Sequence, residues 1–247
     1  MYIRGYFEDN WFKLVIGGVS LYKKIIRDNK KLLLFLLGMS IIQFGVALFL
    51  RMNIGSDPFT VFTQGLANTL NNLGMNVTTG TANRIILVVL FSIILLLNKN
   101  HIKIGTIICV IGVGPIIDLG VRVVSVLPVE SYSYLLKMFL IALGCFIIAI
   151  GFSILSATKV GVAPNDIIPF IIKERINCEY RWIRICMDAF LLIGGFMLGG
   201  TVGVGTIIAM ATTGPFIQLC LPYGQKFTDF ILINKDESQE ELSMNTF

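Results

Sequence analysis

Charge is scarce in this chain. Only 14% of its 247 residues are Asp, Glu, Lys or Arg, 55% are hydrophobic, and the mean hydropathy is +0.80. A soluble domain carries roughly a quarter of its residues as charges, so a soluble globular protein is excluded. Histidine occurs once, at His101 in the polar stretch NKNH, where it reads as a solvated loop residue. There is no Gly-x-Ser-x-Gly elbow, no His-Glu-x-x-His helix and no phosphate loop. With so little acid and base chemistry, no enzyme is expected. No Cys-x-x-Cys spacing occurs either. The five cysteines, Cys109, Cys145, Cys178, Cys186 and Cys220, read as small packing residues, and neither a metal nor a cofactor is expected. A secretory signal is not expected, because seven of the first 31 residues are Lys or Arg.

What is present is a succession of apolar runs, each near the roughly 20 residues needed to cross hydrocarbon. They fall at 32–50, 81–98, 104–124, 138–156, 182–199 and 204–222. The expected fold class is all-α, a polytopic membrane helix bundle in one integral-membrane domain. The net charge of +5 sits in short segments between the runs, as the positive-inside bias requires, so nucleic acid is not an expected partner. Residues 1–31 alternate apolar positions with lysines and suit an amphipathic helix on anionic inner-leaflet lipid. Residues 223–247 read as an acidic cytoplasmic tail, which places both termini in the cytoplasm.

Sliding the chain against itself exposes a duplication. At an offset of 106, LGMSIIQFGVALFL matches LGCFIIAIGFSIL and IGSDP matches VGVAP; at an offset of 100, KIGTIICVIGVGPIIDL matches GVGTIIAMATTGPFIQL. Two internal repeats result, 32–124 and 138–222, joined by a linker at 125–137. Each holds three transmembrane helices and one less apolar helix, at 57–72 or 164–176. A helix opened by Pro164 and interrupted at Lys173 and Arg175 has only about 9 residues, some 14 Å at 1.5 Å per residue, or half a membrane. Short or re-entrant helices and an inverted topology are therefore expected, with eight full spans and parallel repeats as the alternative; the distribution of Lys and Arg does not separate the two.

The duplicated Gly-x-x-Pro marks a loop entering a helix N-terminus. Such ends present free N–H groups and partial positive charge, and half-helices aimed at the midplane hold polar solutes or anions in transporters. The candidate binding residues are Gly55, Ser56, Asp57 and Pro58 in the first copy, and Gly161, Pro164, Asn165 and Asp166 in the second. A plain helix cap at the membrane surface is the competing reading. Ionisable residues inside spans form a second set, since each costs about 2.5 to 3.5 kcal/mol at the bilayer centre. Arg184 and Asp188, and Asp118 and Arg122, are spaced i, i+4 and can pair on one helix face. The inverted arrangement expects Arg84 with Asp118 in the outer half, and Arg184, Asp188 and Gln218 in the inner half, as gates or as structural ion pairs.

The stretches IGSDPFTVFTQGLANTL, TTGTANRIILVVLFSIILLL, KIGTIICVIGVGPIIDL and VGTIIAMATTGPFIQL resemble the YczE/YyaS/YitT group of bacterial integral membrane proteins. The resemblance covers residues 32–222. It implies a multi-pass protein of the bacterial cytoplasmic membrane and transfers no functional residue. The expected function is a secondary transporter or channel for a small polar or anionic solute, with its site at the repeat interface. The alternative is a non-transporting membrane partner that organises another complex through its basic N-terminal segment.

Overall fold

A computed structural model describes residues 2–97, 101–176 and 180–233, and among these only helices and connecting turns occur. Eight helices follow in order: α1 Tyr2–Met52, α2 Pro58–Asn72, α3 Thr79–Leu97, α4 Ile104–Val124, α5 Tyr134–Thr158, α6 Pro164–Arg175, α7 Tyr180–Met197 and α8 Val204–Ile233. Five are long and apolar enough to cross a membrane: Arg27–Met52 within α1, α3, α4, α5 and Val204–Leu232 within α8. The sixth expected span, 182–199, forms as α7 but falls short of the other five, because its 18 residues include three charged ones, Arg181, Arg184 and Asp188. Lipid contact follows from the exposed apolar residues of these helices, such as Leu96, Phe190, Ile207 and Leu219.

Several boundaries differ from expectation. Helix α1 is continuous with the N-terminal segment, and α8 runs through position 222 to Ile233. Pro115, Pro215 and Pro222 lie inside α4 and α8 without ending them. The side chains of residues 1–26, which would carry the amphipathic face, lie outside the described residues, as do Cys178 and positions 234–247.

The centre of the bundle is a close crossing of α1 and α5. A methyl group placed on Gly38 would lie 2.8 Å from Gly151 O, and one on Gly45 would lie 2.8 Å from Gly144 O. Two helices can approach backbone to backbone only where side chains are absent. The pairing of low with high numbers makes them antiparallel. Two core clusters flank this crossing. One joins Phe35, Met39, Leu87, Cys109, Val113, Ile117 and Leu155, and the other joins Phe49, Met52, Val129, Ile141, Cys145 and Ala209.

Hydrogen bonds at chain turns define the two ends of the bundle. At one end Arg51 donates to Leu127 O at 2.9 Å, and Thr201 donates to Asn53 Oδ1 at 3.0 Å. At the other, Lys30 donates to Ile231 O at 3.3 Å and Arg175 to Leu97 O at 3.1 Å.

Candidate functional site

Asp57 and Pro58 open α2 in the way their chemistry dictates. Asp57 is extended, at φ −62° and ψ 155°, and its Oδ2 accepts the Thr60 N–H at 3.1 Å, while Pro58 occupies the first turn, where its missing N–H leaves no bond unmade. The other end of α2 closes on Gly74, whose φ of +86° lets its N–H reach Asn71 O at 3.0 Å. Helix α6 opens at Pro164 after Ala163, with no side-chain cap. Asn165 does not cap it. Its Nδ2 donates to Asp166 Oδ1 at 3.2 Å instead.

The two Gly-x-x-Pro loops dock crosswise. Ile54 O, just before Gly55, accepts the Gly205 N–H that opens α8 at 2.9 Å; Val160 O, just before Gly161, accepts the Gly105 N–H that opens α4 at 3.2 Å. A methyl on Gly55 would strike Thr206, and one on Gly161 would strike Gly105 and the Thr106 N–H. Gly55 also has φ +112°, a conformation that side-chain-bearing residues avoid. Both glycines are therefore required by packing.

From this frame the first residues of α2 and α6 come near one arginine. Arg184 Nη1 lies 3.2 Å from Asp166 Oδ1, its Nε lies 3.3 Å from Asp188, and its charge also acts on Asp57. Asp188 in turn feels the charges of both Asp57 and Asp166. Two carboxylates, on α6 and α7, thus pair with one guanidinium, and Asp57 at the start of α2 lies within range of its charge. Buried polar atoms that find no hydrogen-bond partner within the described protein include Asp57 Oδ1 and Ser56 Oγ on this loop, Asn83 Oδ1 on α3 and Thr213 Oγ1 on α8. The arrangement can hold hydrogen-bond donors. Among the described residues no three His, Cys, Asp or Glu side chains stand close enough to hold a metal ion.

Other expected partners do not meet. Asp118 does not pair with Arg122 or Arg84; its oxygens accept Thr78 Oγ1–H at 2.8 Å and Gly80 N–H at 3.1 Å, so it caps the start of α3. Free helix amides outcompete an exposed i, i+4 partner, whose worth on a helix surface is only about 0.2–0.5 kcal/mol. Arg84 and Arg122 are exposed. Gln218 does not join Arg184 and Asp188, because it is exposed on α8, which barely touches α7. The polar residues of α2 mostly close turns: Asn68 donates to Gly199 O at 2.7 Å, Gln64 accepts Thr201 N–H at 3.0 Å, and Asn71 accepts Val77 N–H at 2.7 Å. Asn83 and Thr213 carry no candidate role by sequence pattern alone, and the one signal for Asn83 is that it is a lone Asn within an apolar helix.

Comparison with known proteins agrees with the membrane reading. The uncharacterised membrane protein YczE of Bacillus subtilis (strain 168) is 25% identical over 199 residues, covering 80% of this chain and 88% of that protein. An uncharacterised protein of Haemophilus influenzae is 23% identical over 192 residues, covering 78% of this chain and 84% of that protein. No solved structure matches. The family described as DUF6198, a family of unknown function, matches residues 29–222, so this multi-pass membrane protein belongs to it.

Proposed function

We propose that the chain is a secondary transporter or channel of the bacterial cytoplasmic membrane, built from two inverted repeats, with a small polar solute bound where α2 and α6 begin. The observation that carries this reading is the Arg184–Asp166 ion pair at the start of α6, with the Asp57 start of α2 within range of the same charge. Half-helices that end inside a bundle are used in this way by transporters, at the interface between repeats.

The inverted arrangement is supported by contacts that exchange under the sequence correspondence. Gly38 on Gly151 maps to Gly144 on Gly45, and Ile54 O with Gly205 maps to Val160 O with Gly105. Phe35, Met39, Cys109 and Leu155 of one core cluster map to Ile141, Cys145, Ala209 and Phe49 of the other. Asn53 and Lys159, a corresponding pair, share the left-handed backbone at φ 53° and 58°. On this reading the end that carries His101, Lys103 and Lys159 faces the cytoplasm.

The charge balance refines the solute class. Arg184 is engaged by Asp166 and Asp188, so a bare anion finds no free guanidinium, and a solute that donates hydrogen bonds or carries positive charge fits better. No catalytic role is proposed. The test is solute flux into proteoliposomes, read by light scattering over neutral, cationic and anionic solutes. Arg184→Ala should abolish any flux that the wild type shows while retaining helical content. Undiminished flux in that variant rules out the named site. Single cysteines at Met75 and Lys173 should react with impermeant maleimide from opposite faces of the membrane; labelling from one face removes the inverted topology.

A further inference from the structure

A cavity of about 370 Å³ opens at the Lys159 end of the bundle, away from Arg184, and is lined by His101, Lys103, Ser156, Lys159, the Gly161–Val162 backbone and Ile167. Three basic side chains and a hydroxyl converge on it from the start of α4 and the end of α5. Lys103 Nζ lies 3.5 Å from Lys159 O, which draws the two basic chains to one rim. His101 Nε2 is 3.0 Å from Glu174 Oε1, and its Nδ1 is buried without a partner. Helix α4 also begins here, with Lys103 as its N-cap, so its first amides add positive potential.

The fold does not require this charge. The same loop-on-helix docking occurs at the other end of the bundle, where the corresponding residues are Thr201 for His101, Gly203 for Lys103, Leu50 for Ser156 and Asn53 for Lys159. That end closes with a neutral Thr201 to Asn53 hydrogen bond. The backbone geometry is shared while the side-chain chemistry differs, so packing alone does not explain the two lysines and the histidine.

We propose that this cavity binds a phosphate group, whose several acceptor oxygens and negative charge match clustered cationic donors better than a single carboxylate does. The group comes either from a soluble phosphate compound or from an anionic lipid headgroup, since the two share this chemistry. The site is separate from the Arg184 cluster and stands whether or not a solute crosses there.

The test uses the full chain in phosphatidylcholine nanodiscs at pH 7. One arm measures radiolabelled inorganic phosphate binding by equilibrium dialysis; the other adds phosphatidylglycerol and counts retained lipid by native mass spectrometry. The double variant Lys103→Gln, Lys159→Asn removes two charges, and Asn at 159 reproduces the left-handed Asn53 of the other end. Saturable phosphate binding that weakens at least about tenfold in the variant, a floor for the loss of two charge-assisted contacts, assigns a soluble ligand. Retention of phosphatidylglycerol that the variant abolishes assigns a headgroup. Should the double variant not fold, Lys159→Asn alone carries the same comparison with a loss of at least about threefold. Absence of both kinds of binding overturns the proposal, as does an equal loss in the control Lys226→Gln, which lies outside the cavity.

Discussion

The seam between α3 and α4 and the gap between α7 and α8 are made from corresponding stretches of sequence, yet only the first closes. In α3 and α4, Gly80 and Gly114 meet backbone to backbone, and Asp118 reaches across to cap the start of α3. In α7 the residue matching Gly80 is Tyr180, and Gly214, which matches Gly114, has open space around it. Without a second glycine to meet it, Gly214 has no close backbone neighbour, because interhelical contact in lipid depends on close backbone approach and not on expulsion of water. The consequence for chemistry is that Arg184 sits on the unsealed side, where α7 is free to pair its charges with α6.

The contrast can be broken by moving the bulk. Gly80→Tyr should open the α3–α4 seam at a cost of about 3 kcal/mol through overpacking, read as a lower unfolding midpoint in detergent. Next comes Asp118→Ala, which removes the α3 cap and should cost about 1–2 kcal/mol in the same assay. The sharpest comparison is the smallest. Gly114→Ala and Gly214→Ala both precede a proline, so their backbone penalties match. Any difference is packing: Gly114→Ala should be less stable by about 1 kcal/mol, while Gly214→Ala should change stability by under about 0.5 kcal/mol. Equal effects would show that the seam is no tighter than the gap.

Much of this fold is legible in the sequence because lipid imposes a simple length and polarity rule on each span. Five of the six apolar runs form candidate spans, and the two short helices begin at the two duplicated prolines. The Asp57 cap is likewise local, spanning three residues. Harder to read are contacts whose partners are distant in sequence. Asp166 meets Arg184 only because α6 and α7 fold back on each other, and Asp118 turns from its near neighbour Arg122 to the Gly80 amide 38 positions earlier. His101 reads as an ordinary loop histidine until Lys159, 58 positions later, is brought beside it.

The crosswise docking of the two loops bears on how the chain is made. The first amide of α4 has its acceptor at Val160, and the first amide of α8 has its acceptor at Ile54. A nascent N-terminal half therefore leaves the ribosome with an unfinished helix start, which waits for residues translated several seconds later at 5–20 residues per second. Expressed as two separate fragments, each would lack the other's clasp, and assembly would need both in the same membrane.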